Sequence, residues 1–269
     1  MEDINARPAT EPKGKERKIN AVDRAAIDGV PIPMIVALAA IISVMAMIPI
    51  PISVVLGSGK NFPMSQSLYP LVGWLLGPIA GAVANGIGAL VGVFIAPYTS
   101  SNAVATVFGA TMGGLAAGSM VGKGNRRRWW IPLSVVFLVL YALYGGRAVV
   151  VNGAPWVDVL LGSFIDWSAL LLYILPTRLL FGRMIGASDR RQVGLGLFLG
   201  TWCIAGLVHL STGAIIYYLI NWPGEVWLAI SPLAPVEHVV RCVVGSTIGL
   251  GVISGLRAIN IQRPPHALY

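Results

Sequence analysis

The stretch LYPLVGWLLGPIAGAVANGIGALVGVFIA, residues 68–96, decides the fold. It carries no charged side chain. As one helix it is about 44 Å long. A hydrocarbon core of about 30 Å accommodates that length only with strong tilt. At its centre stands Gly77-Pro78. Proline has no amide hydrogen and crowds the preceding turn, so a helix breaks there. The stretch therefore reads as two short membrane passes joined by a turn at residues 77–81.

Outward from it, the chain is apolar almost without interruption from Pro31 to Ile259. Of its 269 residues, 56% are hydrophobic and 11% charged, more apolar surface than a water-soluble domain needs. Further apolar spans fall at 31–56, 102–121, 129–151, 157–181, 193–220 and 236–259. Spans of about twenty residues cross a bilayer. The expectation is an all-α membrane protein, a polytopic helical bundle of about eight membrane segments.

Lys and Arg gather between the spans, at 13–24, 123–128 and 183–191, with Arg257 and Arg263 at the end. Such clusters mark the cytoplasmic side. Eight passes with both termini cytoplasmic put every cluster there. Seven passes with the N-terminal tail outside also serve the later clusters, but the tail has its own Lys and Arg. The orientation rule counts these rather than net charge. Residues 1–30 are then a polar cytoplasmic tail, 31–259 a single transmembrane domain and 260–269 a second tail. The first span is too long for a signal-peptide core, so no cleavage is expected. A net charge of +8 would suggest nucleic acid in a soluble protein. Here it reads as topology and contact with anionic lipid. Cys203 and Cys242 lie inside apolar spans without metal-ligand spacing and read as packing residues. Neither a metal nor a cofactor is implied.

Small residues recur every fourth position: Ala80, Ala84, Gly88, Gly92, Ala96; Gly109, Gly113, Ala117; and Ala110, Gly114, Gly118. In lipid, close backbone approach drives helix association, and such faces dock helices. They serve packing within the chain, or contact with a partner membrane protein.

Ionisable side chains inside a bilayer are costly and mark function by default. On the eight-pass topology Arg147, Asp158, Asp166, His209, Glu237, His238 and Arg241 all fall in the outer half. Asp166 lies roughly 12 Å deeper than Asp158. Its depth demands a partner, and Arg147 is the first candidate. Glu237 and Arg241 have the i,i+4 spacing of a helix ion pair, which either neutralises itself or meets a ligand. Asp158 has the bland reading of an interfacial cap, and His209 that of a hydrogen-bonded core histidine. Trp156, Trp222 and Trp227 fit an interfacial belt. Convergence at one depth points instead to a polar pocket opening outward. Asp166, Arg147, His209 and Arg241 would line it and Glu237 would tune Arg241. The loop 60–66, with Asn61 and Gln66, would cover its mouth. No Walker A loop is present, nor an HExxH, GxGD or GxSG pattern. The chain reads as a binding subunit rather than an enzyme.

LLGPIAG at 75–81, followed by a glycine-rich pass, Asn102 and a span ending in the 123–128 basic cluster, resembles the substrate-binding S components of energy-coupling factor transporters. Pro235-x-Glu237 opening the final span and the glycine-bearing run at 245–249 fit as well. The resemblance covers about two thirds of the chain. It implies the plasma membrane of a prokaryotic cell. It implies a vitamin or similar micronutrient bound near the outer face, with the first outer loop as lid. It also implies a transmembrane coupling protein and two ATPase subunits as partners. Family docking motifs of the AxxxA type correspond here to Ala39-x-x-x-Ser43, with Gly88, Gly92, Gly113 and Gly114 as fuller small-residue faces. The family has six helices against eight here, and the surplus hairpin is 129–181. The alternative is a membrane-embedded assembly or sensory subunit without a transported ligand, using the small-residue faces as its main interface.

Overall fold

The computed structural model describes residues 25–50, 62–100, 102–122, 124–261 and 263–269. At the end of the segment read as a polar tail, Ala26–Ile27 (β1) and Val30–Pro31 (β2) form a small antiparallel hairpin. Asp28 and Gly29 turn it with positive φ at both positions, the geometry that Asp-Gly favours.

Helix α1 (Ile32–Met45) follows directly and ends before Pro49, short of the span expected at 31–56. A tight turn, Met64–Ser67, leads into α2 (Tyr69–Leu76). Gly77 then has φ +85°, open to glycine because it has no Cβ. Pro78 opens α3 (Pro78–Ile95), where its missing amide hydrogen is not needed. The break therefore stands where Gly77-Pro78 placed it. However, α2 is only about 12 Å long and does not cross a bilayer by itself. Asn102 caps α4 (Ala103–Ser119) by accepting the Ala105 amide at 2.8 Å. Helix α5 (Trp130–Gly146) runs into a π-helical turn, Arg147–Val151.

Two expectations are corrected here. The span 157–181 is not one helix but α6 (Trp156–Gly162), α7 (Phe164–Ile174) and α8 (Thr177–Ile185). The α6–α7 break bends by 69°, and Pro176 separates α7 from α8. After α9 (Arg190–Ile220), the last helix, α10 (Gly224–Ala258), begins well before residue 236. It passes through Pro232 and Pro235, since membrane helices tolerate proline where neighbours satisfy the freed groups.

Among the described residues, four helical stretches are long and apolar enough to cross a membrane, and the bent α6–α7 pair makes a fifth. Their outward side chains include Phe94, Val135, Leu143, Leu171, Leu219 and Val243. Exposed apolar belts of this extent face lipid rather than water. The architecture is that of a helical membrane protein.

Glycine sets the helix spacing. A Cβ on Gly114 would stand 2.6 Å from the backbone of Gly81 and Ala82, and one on Gly118 would stand 2.2 Å from Pro78. Helices α3 and α4 thus touch backbone to backbone. Gly88 meets Ile42 and the Ala39 carbonyl of α1, and Gly92 meets Ala46. Ser43 donates to the Gly88 carbonyl at 3.1 Å. Gly113 packs on Val208 of α9 and on Tyr69. Ala39, Ser43, Gly88, Gly92, Gly113 and Gly114, the residues assigned to a docking partner, are therefore used inside this chain. They are buried against its own helices, so the packing reading replaces the docking one.

Chain connections gather at two ends. At one end Asp28 pairs with Arg126 and stands 3.7 Å from His266. His266 packs on Gly77, and the Leu268 amide donates to the Trp74 carbonyl at 2.9 Å. Arg257 donates to the Ala187 and Ile185 carbonyls there. At the other end Thr99 donates to the Ala46 carbonyl, and the Ile50 amide donates to the Phe62 carbonyl. Asn152 bonds Tyr217 and Asn221 at that end as well. Every basic segment among the described residues lies at the first end.

Gly114→Leu is expected to leave little folded protein in size-exclusion chromatography, because the clash is with backbone. Gly251→Leu, where a Cβ meets open space, is expected to elute as the wild type does.

Candidate functional site

The bend between α6 and α7 puts Asp166 in the first turn of α7, with its amide donating to the Ser163 carbonyl at 2.9 Å. Gly206 of α9 packs onto Ala169 and the Ile165 carbonyl. A side chain at 206 would hold the two helices apart. The close approach brings His209 to Asp166. Asp166 is 1% exposed. Its Oδ1 lies 2.7 Å from His209 Nδ1, and its Oδ2 accepts from the Tyr144 hydroxyl at 2.5 Å. Both carboxylate oxygens are thus matched, as a buried charge requires.

One turn apart on α10, Glu237 and Arg241 form a second buried ion pair. The Arg241 guanidinium carbon stands 5.0 Å from the centre of the Phe62 ring. That ring lies 6.4 Å from the His209 ring. Phe62 therefore joins the two pairs. Residue 62 leads into the turn Met64–Ser67, which packs on α10, where Gly245 meets the Ser67 carbonyl. Gln66 is buried in that turn. Asn61 lies outside the described residues.

Arg147 is not the partner of Asp166. In an unbroken helix residue 147 would share the face of residue 144. The π-helical turn that begins at Arg147 changes the register. Its guanidinium lies 4.7 Å from the Tyr218 ring centre, and its Nε has no hydrogen-bond partner among the described residues. His238 is buried on the same helix as the pair. It bonds the Trp202 carbonyl at 2.9 Å and meets the Trp202 ring edge-on at 4.8 Å. Asp158, in the first turn of α6, lines a cleft of about 570 Å³ with Asn152, Glu225 and Leu228.

Two tyrosines missed from sequence, Tyr144 and Tyr217, complete the surroundings together with Trp222 and Trp227, which sequence had placed in an interfacial belt. Tyr144 packs against Tyr217 and Trp227 at 5.8 and 5.3 Å, and Trp222 joins them. Trp227 is buried in this cluster and does not belong to an interfacial belt, whereas Trp156 is exposed as a belt residue should be. Tyr144 was findable, since Asp166 needed hydroxyl or N–H donors and Tyr144 lies on an adjacent span.

Chemically, Asp166 anchors His209 through Nδ1, so the imidazole presents Nε2. The Glu237–Arg241 pair balances its own charge, and the Asp166–His209 pair does so when the imidazole is protonated. Among the described residues no three His, Cys, Asp or Glu side chains assemble as a metal site needs. The arrangement suits hydrogen bonding to a polar molecule of no net charge, or of one charge offset by a released partner. No protein-family model matches the chain, and no curated protein or solved structure matches it at a significant level.

The pairing assignment makes a prediction for stability. In a double-mutant cycle read by denaturant unfolding in detergent, Asp166→Asn and His209→Gln are expected to couple by about 1 kcal/mol or more. Asp166→Asn and Arg147→Gln are expected to add within about 0.5 kcal/mol. Strong coupling to Arg147 would overturn the assignment.

Proposed function

We propose that this chain is the substrate-binding subunit of an importer of the energy-coupling factor type. It captures a small polar micronutrient from the outer side and leaves ATP hydrolysis to partner subunits. The observation that carries this reading is the buried polar cluster built by Tyr144, Asp166, His209, Glu237 and Arg241. These residues come from four helices, α5, α7, α9 and α10, and lie beneath Phe62 of the first loop. Polar groups buried in a bundle interior at such cost are kept for binding or transport. A cover from the first loop is what the family resemblance implies. The segment Phe62–Ser67 supports that role, since it leads from the α1 end onto α9 and α10.

In this reading the chain forms eight membrane segments as four helical hairpins, with α2 and its preceding turn as the shortest leg. Both termini are cytoplasmic in a prokaryotic plasma membrane. The gathering of 25–31, Gly77, Arg126, Ala187 and 263–269 at one end supports it, because the chain returns there after each hairpin. The Arg-bearing loops share that end, as cytoplasmic loops do. A coupling membrane protein and two ATPases complete the importer. The coupling protein would meet lipid-exposed apolar faces, since the glycine faces are used internally. The assembly-subunit reading loses its main support for the same reason.

A cysteine at Asn125 or Ser188 should resist impermeant thiol reagents in intact cells, while one at Gly153 should react. Labelling at Asn125 from outside would end this topology. Tagged protein solubilised gently from its own membrane should bring down one membrane protein and two Walker-A ATPases in fixed stoichiometry. Isolation of a homogeneous subunit with no ATPase, from cells that express it natively, would contradict the importer reading.

A further inference from the structure

We infer that Phe62 is a resident plug whose ring holds the place of the ligand's own ring, so that the site selects a flat conjugated compound bearing a hydrogen-bond acceptor. The inference rests on the binding-subunit reading above and adds the class of ligand. Phe62 touches both ion pairs, through the His209 ring and the Arg241 guanidinium.

Arg241 is 1% exposed. Glu237 satisfies one of its terminal nitrogens, while its Nε has no hydrogen-bond partner among the described residues. A buried guanidinium with an unmatched N–H is costly. The π face of Phe62 offsets part of that cost but supplies no acceptor. His209 is the most open member of the cluster, with its side chain 21% exposed. Its Nδ1 is committed to Asp166, which leaves Nε2 for another partner. A compound that keeps the ring face on Arg241 and adds an acceptor for these nitrogens is the better occupant. A saturated ring of the same size lacks the π face and gains only burial.

The backbone permits the exchange. The Phe62 carbonyl accepts from the Ile50 amide at 2.8 Å, and the Met64 amide donates to the Ile48 carbonyl at 2.8 Å. The backbone is thus pinned at the Phe62 carbonyl and at Met64, so rotation of the Phe62 side chain vacates the slot while residues 62–64 keep their place.

The test uses purified full-length Phe62→Ala and wild type in lipid nanodiscs, with benzoate and cyclohexanecarboxylate as probes. The two acids share charge and ring size, but only the first is flat and has a π face. Binding is read by calorimetry, with thermal unfolding to show that the variant is folded. Phe62→Ala is expected to bind benzoate about tenfold more tightly than wild type does, and about tenfold more tightly than it binds cyclohexanecarboxylate. Should Phe62→Ala fail to fold, Phe62→Leu is expected to give the same order of the two acids with a smaller gain. Equal binding of both acids, or no gain over wild type, would overturn the inference. The importer reading stands or falls on the partner complex, which contains no probe, so the two failures remain distinct.

Discussion

A carboxylate inside an apolar bundle has to be matched oxygen by oxygen, and that requirement at Asp166 organises the rest of the molecule. Left unpaired at this depth it would cost several kcal/mol. Tyr144 and His209 answer it from two other helices, so α5, α7 and α9 hold fixed positions relative to one another. The second pair, on α10, is closed within its own helix but leaves Arg241 Nε without a hydrogen-bond partner among the described residues. The cluster thus combines a pair that ties helices together with a pair that keeps one donor unmatched. Phe62 spans the two.

Such matching is possible only because the helices approach closely. Gly206 lets α9 reach α7 next to Asp166, and Gly113 lets α4 reach α9 at Val208, one residue before His209. Gly114 and Gly118 seat α4 on the turn that starts α3. In lipid the hydrophobic effect does not hold helices together, so van der Waals contact between backbones must do so. Glycine spacing and the polar site are therefore two parts of one design. The first supplies the distances that the second needs.

Much of this was legible in the chain itself. The break at Gly77-Pro78 followed from proline's missing donor and glycine's freedom. The membrane character followed from uninterrupted apolarity. Asp166, His209, Glu237 and Arg241 were legible because charges in lipid need a reason. Partner identity was less legible. Arg147 was matched to Asp166 by charge, but a π-helical turn, which no composition signal marks, redirected it to Tyr218. The bend at Gly162-Ser163 hid within an apolar run for the same reason. Helix α10 began early because packing against α6, where Gly162 meets the Trp227 carbonyl, stabilises it through two prolines that local rules would have made its start. Small-residue spacing showed that a helix would be touched, but not by which helix. Phe62 lay in the loop read as a cover, but nothing singled it out there, since a phenylalanine in a loop is ordinary until its neighbours in space are known.

The central claim is that the buried cluster exists to hold a small molecule. Native mass spectrometry of gently purified wild type, beside a folded Glu237→Gln/Arg241→Gln variant, tests it most directly. The account predicts one discrete small-molecule adduct on the wild type and its loss from the variant. Wild type without any adduct after isolation from its own membrane, or an adduct retained in full by the variant, would contradict it.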